Sequence, residues 1–232
     1  MKKLLLFILL FCCLADSRAE NGYELWLRYQ KINNPALLAQ YKKQLLSVTV
    51  LGSSPTNLIT RTELTNALKG LTGNKYKVDS VSGAANTFIA GTVSSSPIFN
   101  ALVTKAELQK IGEEGFIIKA KSGKTIITGN SDIAILYGVF HYLRLLQTNQ
   151  PIINLNIISS PRLKLRMLNH WDNLNRTVER GYAGFSIWDW HKLPGFIDQR
   201  YIDYARANAS IGINAVSLMN VNANAVILTA PY

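Results

Sequence analysis

The sequence predicts an α/β protein built from two consecutive units. Between residues 20 and 150, short apolar runs typical of buried strands alternate with segments whose apolar residues have helical spacing. From residue 163 onward the order is strand, helix, strand, which is the order of a βαβ unit. Hydrophobic residues make up 48% of the 232 residues and charged residues 17%. This composition forms a hydrophobic core and excludes intrinsic disorder as the main state.

The first unit contains the clearest local patterns. Two strand-like runs, 116–120 and 125–129, flank a short segment with a glycine and predict a β-hairpin. The following helix, from Asn130 to Gln147, begins with capping residues and carries an apolar stripe, so we expect it to pack on the sheet. The other predicted elements are the helices Pro35–Leu46 and Asn57–Leu71 and the strands Val48–Leu51 and Phe88–Val93.

The second unit begins after Pro161, where the pattern changes. Strands are predicted at Leu163–Leu168 and Ile213–Met219, with a helix at Tyr201–Ile211 between them, and each strand is followed by a polar run. One helix cannot cover both faces of a parallel pair. A complete (β/α)8 barrel needs about 250 residues, whereas fewer than 75 follow Ser160. The predicted fold is therefore an N-terminal α/β sandwich-type domain followed by the first β/α units of a truncated TIM barrel.

The first 19 residues have the features of an export signal. A basic start is followed by the eleven apolar residues Leu4–Leu14, and Ser17 and Ala19 fit a signal-peptidase site. Because a membrane span needs about 20 apolar residues, export is favoured over the alternative of an uncleaved anchor. The prediction is a periplasmic or extracellular protein cleaved between Ala19 and Glu20. The predicted domains are then 1–19, 20–155 and 156–232.

Cleavage also bears on charge and cysteine content. Both cysteines, Cys12 and Cys13, lie in the removed segment, so the mature chain can hold no disulfide. The formal net charge of +11 falls to +9, because three basic residues and one acidic residue leave. The remaining lysines are scattered and are not interleaved with stacking aromatic residues, which is typical of solvated faces. Neither a nucleic-acid partner nor a membrane partner is predicted.

Few residues in the chain suggest cofactor or acid–base chemistry by themselves. His170 and His191 lack a third partner at ligand spacing, so no metal is predicted, and there is no glycine-rich phosphate loop. His141 lies beside an apolar helical stripe and is interpreted as structural. Three acidic residues could suggest a local acid/base pair, but structural hydrogen bonding is the better default for them. They are Asp172, Glu179 and Asp189.

Long and compositionally unusual strings resemble glycoside hydrolase family 67, the xylan α-1,2-glucuronidases. The likeness spans nearly all of residues 20–232 and is weakest at about 75–110. The strings are YELWLRY at 23–29, LNHWDN at 168–173, RTVERGYAG at 176–184, SIWDW at 186–190, YIDYAR at 201–206 and NVNA at 220–223.

The resemblance implies a central (β/α)8 barrel that removes glucuronic acid or its 4-O-methyl ether from xylo-oligosaccharides. The family works with inversion, needs no cofactor, and often dimerises through a C-terminal region. Its catalytic carboxylates follow later barrel strands, and none can be matched to a position in this chain. The 232 residues are therefore expected to be an N-terminal fragment that is inactive by itself, and the implied partners are xylan-derived aldouronic acids.

The resemblance also assigns a binding role to two positions. Trp171, after the first barrel strand, matches a tryptophan that lines the uronate pocket, and Val221, after the second strand, matches an apolar residue of the same wall. An indole can cover the C–H face of a sugar, and a valine can fill space around a methyl ether. The alternative for Trp171 is packing at the barrel rim. His170, Asp172 and Asn222 are weaker candidates, since each could simply hold a loop in place.

Two other functions compete with the glucuronidase interpretation. A non-catalytic carbohydrate-binding module is one, although residues 30–150 do not concentrate their aromatic residues as a stacking surface would require. Another exo-glycosidase of the same layout, such as a β-hexosaminidase, is the other. The strings around Trp171 and Trp188 resemble the glucuronidases more closely.

Overall fold

A computed structural model describes residues 20–81, 87–179 and 184–218 of the chain. The predicted signal segment 1–19 and the site candidates Val221 and Asn222 lie outside these residues. Among the helices in the described ranges, none is both long and apolar enough to cross a membrane.

Side-chain caps mark where helices start, and the helices predicted from Asn57 and Tyr201 each begin two residues earlier, at Pro55 and Gln199. Asn34, Ser54 and Ser131 each accept a hydrogen bond from a backbone N–H in the first turn of the helix that follows, which satisfies a donor that has no partner within the helix. Gly73 ends the second helix in the left-handed conformation. The α-helices of the described chain are α1 (Pro35–Gln44), α2 (Pro55–Thr72), α3 (Pro97–Leu102), α4 (Lys105–Ile111), α5 (Asp132–Gln147) and α6 (Gln199–Ser210).

Six strands form one mixed sheet within the described residues, in the order β2-β1-β3-β5-β4-β6. The first four strands in this order are parallel, and β4 is antiparallel to both of its neighbours. The predicted hairpin is confirmed, with Ser122 and Gly123 both at positive φ in its turn. The strands are β1 (Val48–Val50), β2 (Val78–Asp79), β3 (Phe88–Thr92), β4 (Phe116–Lys121), β5 (Lys124–Gly129) and β6 (Asn156–Ser159).

Helices cover both faces of this sheet. Successive strand residues point to opposite faces, so Phe88 and Ala90 pack with α2 and α5, whereas Ile89 packs with α3 and α4. As predicted, α5 lies on the sheet. Gly138 makes this close approach possible, because a Cβ there would lie 2.5 Å from Ile127 Cγ2. The predicted α/β class is therefore confirmed.

The second unit consists of β7 (Met167–Asn169), α6 and β8 (Ala215–Ser217). The two strands are parallel, with Leu168 opposite Val216, so the predicted βαβ order is confirmed. Strand β7 is shorter than predicted. The Arg166 guanidinium bonds back to the carbonyl groups of Leu163 and Lys164, and these residues lie outside the ladder. Continuation into an eight-stranded barrel stays a prediction, as do the domain limits.

Candidate functional site

The candidate site lies at the carboxyl end of β7. The backbone N–H of His170 donates to the carbonyl of Ser217 at 2.8 Å, which extends the pairing with β8 by one residue. The two residues that follow are in opposite environments. Trp171 is 41% exposed, whereas Asp172 is only 4% exposed. The loop therefore presents an aromatic surface at the strand end and buries a carboxylate below it.

Backbone hydrogen bonds give the Trp171 loop a defined shape. The carbonyl of Trp171 accepts the Glu179 N–H at 2.9 Å, and Asp172 forms an antiparallel bridge with Val178. Asn173 N–H also donates to the Thr177 carbonyl at 2.8 Å. These bonds fold residues 171–179 into a tight hairpin, so the backbone that carries the indole is held on both sides.

His170 and Asp172 support this loop from inside. His170 Nε2 and the Tyr204 hydroxyl share a hydrogen bond of 2.5 Å, and His170 Nδ1 lies 3.6 Å from Asp172 Oδ2. The Ser186 hydroxyl donates to the same Asp172 oxygen at 2.5 Å. A buried carboxylate needs such partners, because burial without them is costly. The structure thus places both candidates in a supporting network beneath Trp171.

An aromatic cluster joins the loops to α6. The ring of Trp188 lies 4.8 Å from that of Tyr201 and 5.5 Å from that of Tyr204, and His170 meets its edge at 5.8 Å. Sequence reasoning missed Tyr201, Tyr204 and Ser186 as loop supports. The two tyrosines are spaced i, i+3 on the predicted helix, and that spacing was a usable signal because it places both on one helix face.

The other acidic side chains of this region are engaged in structural contacts. Asp189 lies 3.4 Å from Arg176 Nη1 and 3.2 Å from Lys192 Nζ, and its backbone N–H donates to the Tyr201 hydroxyl. Glu179 also has an interaction partner. In the residues that the structure describes, no three His, Cys, Asp or Glu side chains are grouped so that they could hold a metal ion.

Two further sequence candidates can be placed. His141 on α5 lies with its ring 5.4 Å from that of Phe116. Burial, followed by the charge of Arg144, lowers the pKa of His141, so the neutral ring is favoured. Val221 and Asn222 follow β8, the partner of β7, but lie outside the described residues. Their position in one wall with Trp171 stays a prediction.

Comparison with known protein families decides the identity of the chain. The model of the glycosyl hydrolase family 67 N-terminus matches residues 25–142, and the model of the family 67 middle domain matches residues 145–232. The chain belongs to glycosyl hydrolase family 67. The resemblance of the sequence strings to this family is therefore confirmed, and both units of the family 67 chain fall within the match.

Curated relatives of the family 67 chain carry consistent names. The probable alpha-glucuronidase A of Aspergillus oryzae is 31% identical over 216 residues, which cover 91% of this chain and 25% of that protein. The alpha-glucuronidase A of Emericella nidulans is 32% identical over 220 residues, which cover 91% of this chain and 26% of that protein. The alpha-glucuronidase of Hypocrea jecorina is 29% identical, with 96% and 27% covered. The chain spans about a quarter of the length of these relatives.

Solved structures share the fold of the family 67 chain. A family GH115 4-O-methyl-alpha-glucuronidase with specificity for decorated arabinogalactans superposes with a TM-score of 0.54 at 15% identity, covering 75% of this chain and 25% of that one. A GH138 enzyme targeting pectin rhamnogalacturonan II superposes with a TM-score of 0.50 at 20% identity, and the match covers 75% of this chain and 19% of that one. At this identity the likeness shows the fold alone.

Proposed function

We propose that this chain is the N-terminal part of an exported α-glucuronidase. The whole enzyme removes α-1,2-linked glucuronic acid, or its 4-O-methyl ether, from xylo-oligosaccharides with inversion. One observation carries the proposal. In a family 67 chain, the half-exposed indole of Trp171 stands at the carboxyl end of a parallel strand, above a buried supporting network. The carboxyl ends of barrel strands are where barrel enzymes build their active sites.

The proposed role of Trp171 follows from its chemistry. A sugar ring presents an apolar face of C–H groups, and a flat indole covers such a face while leaving the hydroxyl groups to polar partners. The network of His170, Asp172 and Ser186 would fix the loop before the sugar binds. A rigid wall loses less conformational entropy on binding, and this favours affinity.

The substrate and stereochemistry are tested with the intact polypeptide that contains residues 1–232. It should release uronic acid from aldotriouronic acid, and NMR during the first turnovers should show the β-anomer of the released sugar, since inversion converts an α-linkage to a β-product. Initial release of the α-anomer would contradict inversion. Release of an N-acetylhexosamine instead of a uronic acid would favour the β-hexosaminidase alternative.

The 232-residue chain by itself should not hydrolyse aldotriouronic acid. Inversion needs an acid on one face of the glycosidic bond and a carboxylate-activated water on the other. Near Trp171, however, Asp172 is bonded to Ser186, and Asp189 is paired with Arg176 and Lys192. The measurement is uronic acid release by the purified chain, with boiled protein as the control. Turnover that co-purifies with the chain through two different separations would contradict this expectation.

Export can be tested on the same chain. The secreted form should begin at Glu20, because residues 1–19 have the order of basic, apolar and small residues that signal peptidase requires. Mass spectrometry of the exported protein gives its N-terminus directly. An Ala19→Arg variant, which removes the small residue before the cleavage site, serves as the comparison and should keep Met1. Detection of intact Met1 in the exported wild-type chain would contradict the proposal.

A further inference from the structure

One carboxylate of the N-terminal unit contacts the segments that lead into both strands of the second unit. Glu114 lies between α4 and β4, and its Oε2 bonds to the guanidinium of Arg166. Its two carboxylate oxygens also accept hydrogen bonds from Asn214 Nδ2 at 3.0 and 3.2 Å. Arg166 directly precedes β7, and Asn214 directly precedes β8.

Arg166 and Asn214 also bond to each other across the strand pair. The N–H of Arg166 donates to Asn214 Oδ1 at 2.9 Å, and the N–H of Asn214 donates to the Arg166 carbonyl at 3.1 Å. Asn214 Nδ2 further donates to the Lys164 carbonyl at 2.7 Å, and Arg166 Nε to the Gly212 carbonyl at 2.5 Å. The two residues and Glu114 therefore form one closed network at the amino ends of the strands.

Within the described residues, the strand pair itself does little to specify its register. It consists of three residue pairs, Met167–Ala215 to Asn169–Ser217, and both strands expose apolar side chains. Register is weakly specified where no strand face is firmly buried, and a slip by one residue turns every side chain to the other face. An external contact to both strand starts can supply the missing specification.

We propose that Glu114 sets the register of β7 against β8, so that the N-terminal unit acts as the template on which the first two parallel strands are aligned. The network that includes Glu114 bonds to the residue before each strand, and Arg166 also lies over the ring of Tyr137 on α5, 5.9 Å from its centroid. The alignment is thereby tied to the core of the first unit.

The charge of Glu114 fits this role. Burial acts to raise the pKa of this carboxyl, but the hydrogen bonds from Arg166 and Asn214 and the charge of Arg166 outweigh it, and the net pKa is lowered. The group is thus a carboxylate at neutral pH and forms charge-assisted hydrogen bonds, which are stronger than neutral ones. A glutamine at this position would keep the shape and lose the charge.

The alignment has a consequence at the opposite ends of the strands. Trp171 follows β7, so the register decides the height of the proposed sugar-binding indole relative to Ser217 at the end of β8. This consequence rests on the proposed sugar-binding function, whereas the alignment itself does not. An experiment on the backbone of the chain therefore tests the alignment separately from any activity.

Hydrogen exchange followed by NMR measures how well single amides are protected by the hydrogen bonds between the two strands. The His170 amide reports on the carboxyl end of the strand pair, and the Asn214 amide reports on its amino end, because each donates across the pair. The Leu51 amide, which donates to Ala90 in the first unit, is the internal reference. The variants are Glu114→Gln and, as the matched control, Glu113→Gln, which removes the same charge from the exposed neighbouring side chain.

Glu114→Gln should raise exchange at His170 and Asn214 together by about tenfold or more, with Leu51 unchanged and with no effect of Glu113→Gln. Protection within about twofold of the wild type at both amides would overturn the proposal. An equal rise at Leu51 would also overturn it, since the effect would then be general destabilisation.

A second test swaps the hydrogen-bond donor and acceptor between positions 114 and 214, so that it looks for recovered protection as well as lost protection. Asn214→Asp places two carboxylates against each other and should increase exchange at both reporter amides. Combining it with Glu114→Gln places an amide donor opposite the new carboxylate, and protection should recover in part, because the hydrogen bond from Asn214 to the Lys164 carbonyl stays lost. A double variant that exchanges as fast as the faster single variant would count against a direct alignment by this pair.

Discussion

Replacing Glu63 with alanine should lower the melting temperature of the chain by about 6–12 °C. Glu63 lies on α2 and is only 4% exposed. It accepts hydrogen bonds from the Tyr29 hydroxyl and, at 2.8 Å each, from Nε and Nη2 of Arg206 on α6. Removing Glu63 takes this acceptor away from the partly buried Arg206 guanidinium and from the buried Tyr29 hydroxyl, which costs about 3 kcal/mol.

The measurement is calorimetric or circular-dichroism melting, with two comparisons. Glu63→Gln keeps an acceptor for Tyr29 and should lose less stability than Glu63→Ala. Lys69→Ala removes a charge from the exposed face of the same helix and should shift the melting temperature by less than about 2 °C. The expectation is wrong if Glu63→Ala melts as the wild type does.

A double-mutant cycle separates the ion pair from the rest of the helix contact. Arg206→Ala should be less harmful in the Glu63→Ala background than in the wild type, because the two side chains act as one unit and their separate effects are not additive. Strict additivity would mean that Arg206 stabilises the protein through other contacts, such as those with Leu27 and Glu24.

In the intact polypeptide that contains these residues, Trp171→Ala should lower kcat/KM for aldotriouronic acid by roughly 30-fold. Loss of an aromatic contact surface removes about 2 kcal/mol of apolar burial from the bound sugar, and each 1.4 kcal/mol is about tenfold. Part of the loss should appear in kcat, because the indole also orients the sugar ring for attack.

Phe185→Ala is the matched control for Trp171→Ala. Phe185 is an aromatic residue that is 78% exposed, and it pairs with Thr177 in the same loop region, so its removal should leave kcat/KM within about twofold. The melting temperature of Trp171→Ala should stay near that of the wild type. Activity lost together with stability would instead identify Trp171 as a packing residue of the rim.

Much of the fold followed from local sequence signals. Helix α5 was predicted from its caps and apolar stripe, and the hairpin of β4 and β5 from two strand-like runs on either side of a glycine turn. Helix α4 was missed although Thr104 and Glu107 form a capping box at its start. It has only seven residues, and such a length gives a weak periodic signal. Strand β7 was overextended because apolar and basic residues alternate through Leu163–Leu168, where Arg166 bonds backwards to the chain.

For the candidate site, the sequence predicted the exposed tryptophan but not the side chains that support it. The resemblance to family 67 singled out Trp171, and the exposure of its indole at the end of β7 is compatible with a binding role. The pattern could not show that Asp172 is buried, nor that Tyr204 and Ser186 reach the same network. Those contacts join side chains 14 and 34 residues apart, and no periodic spacing connects them.

By itself, the sequence determined the α/β class, the family 67 membership and the indole that we propose binds the uronate. These properties depend on local propensity, on the runs and spacing of apolar residues and on long characteristic strings, and each of them involves only residues that are near one another in the chain. Only the tertiary structure decided how the second unit is attached. Glu63 meets Arg206 across 143 positions, and Glu114 meets Asn214 across 100. Such pairs form because two surfaces pack, and a lone carboxylate in a sequence does not reveal which distant cation or amide will satisfy it.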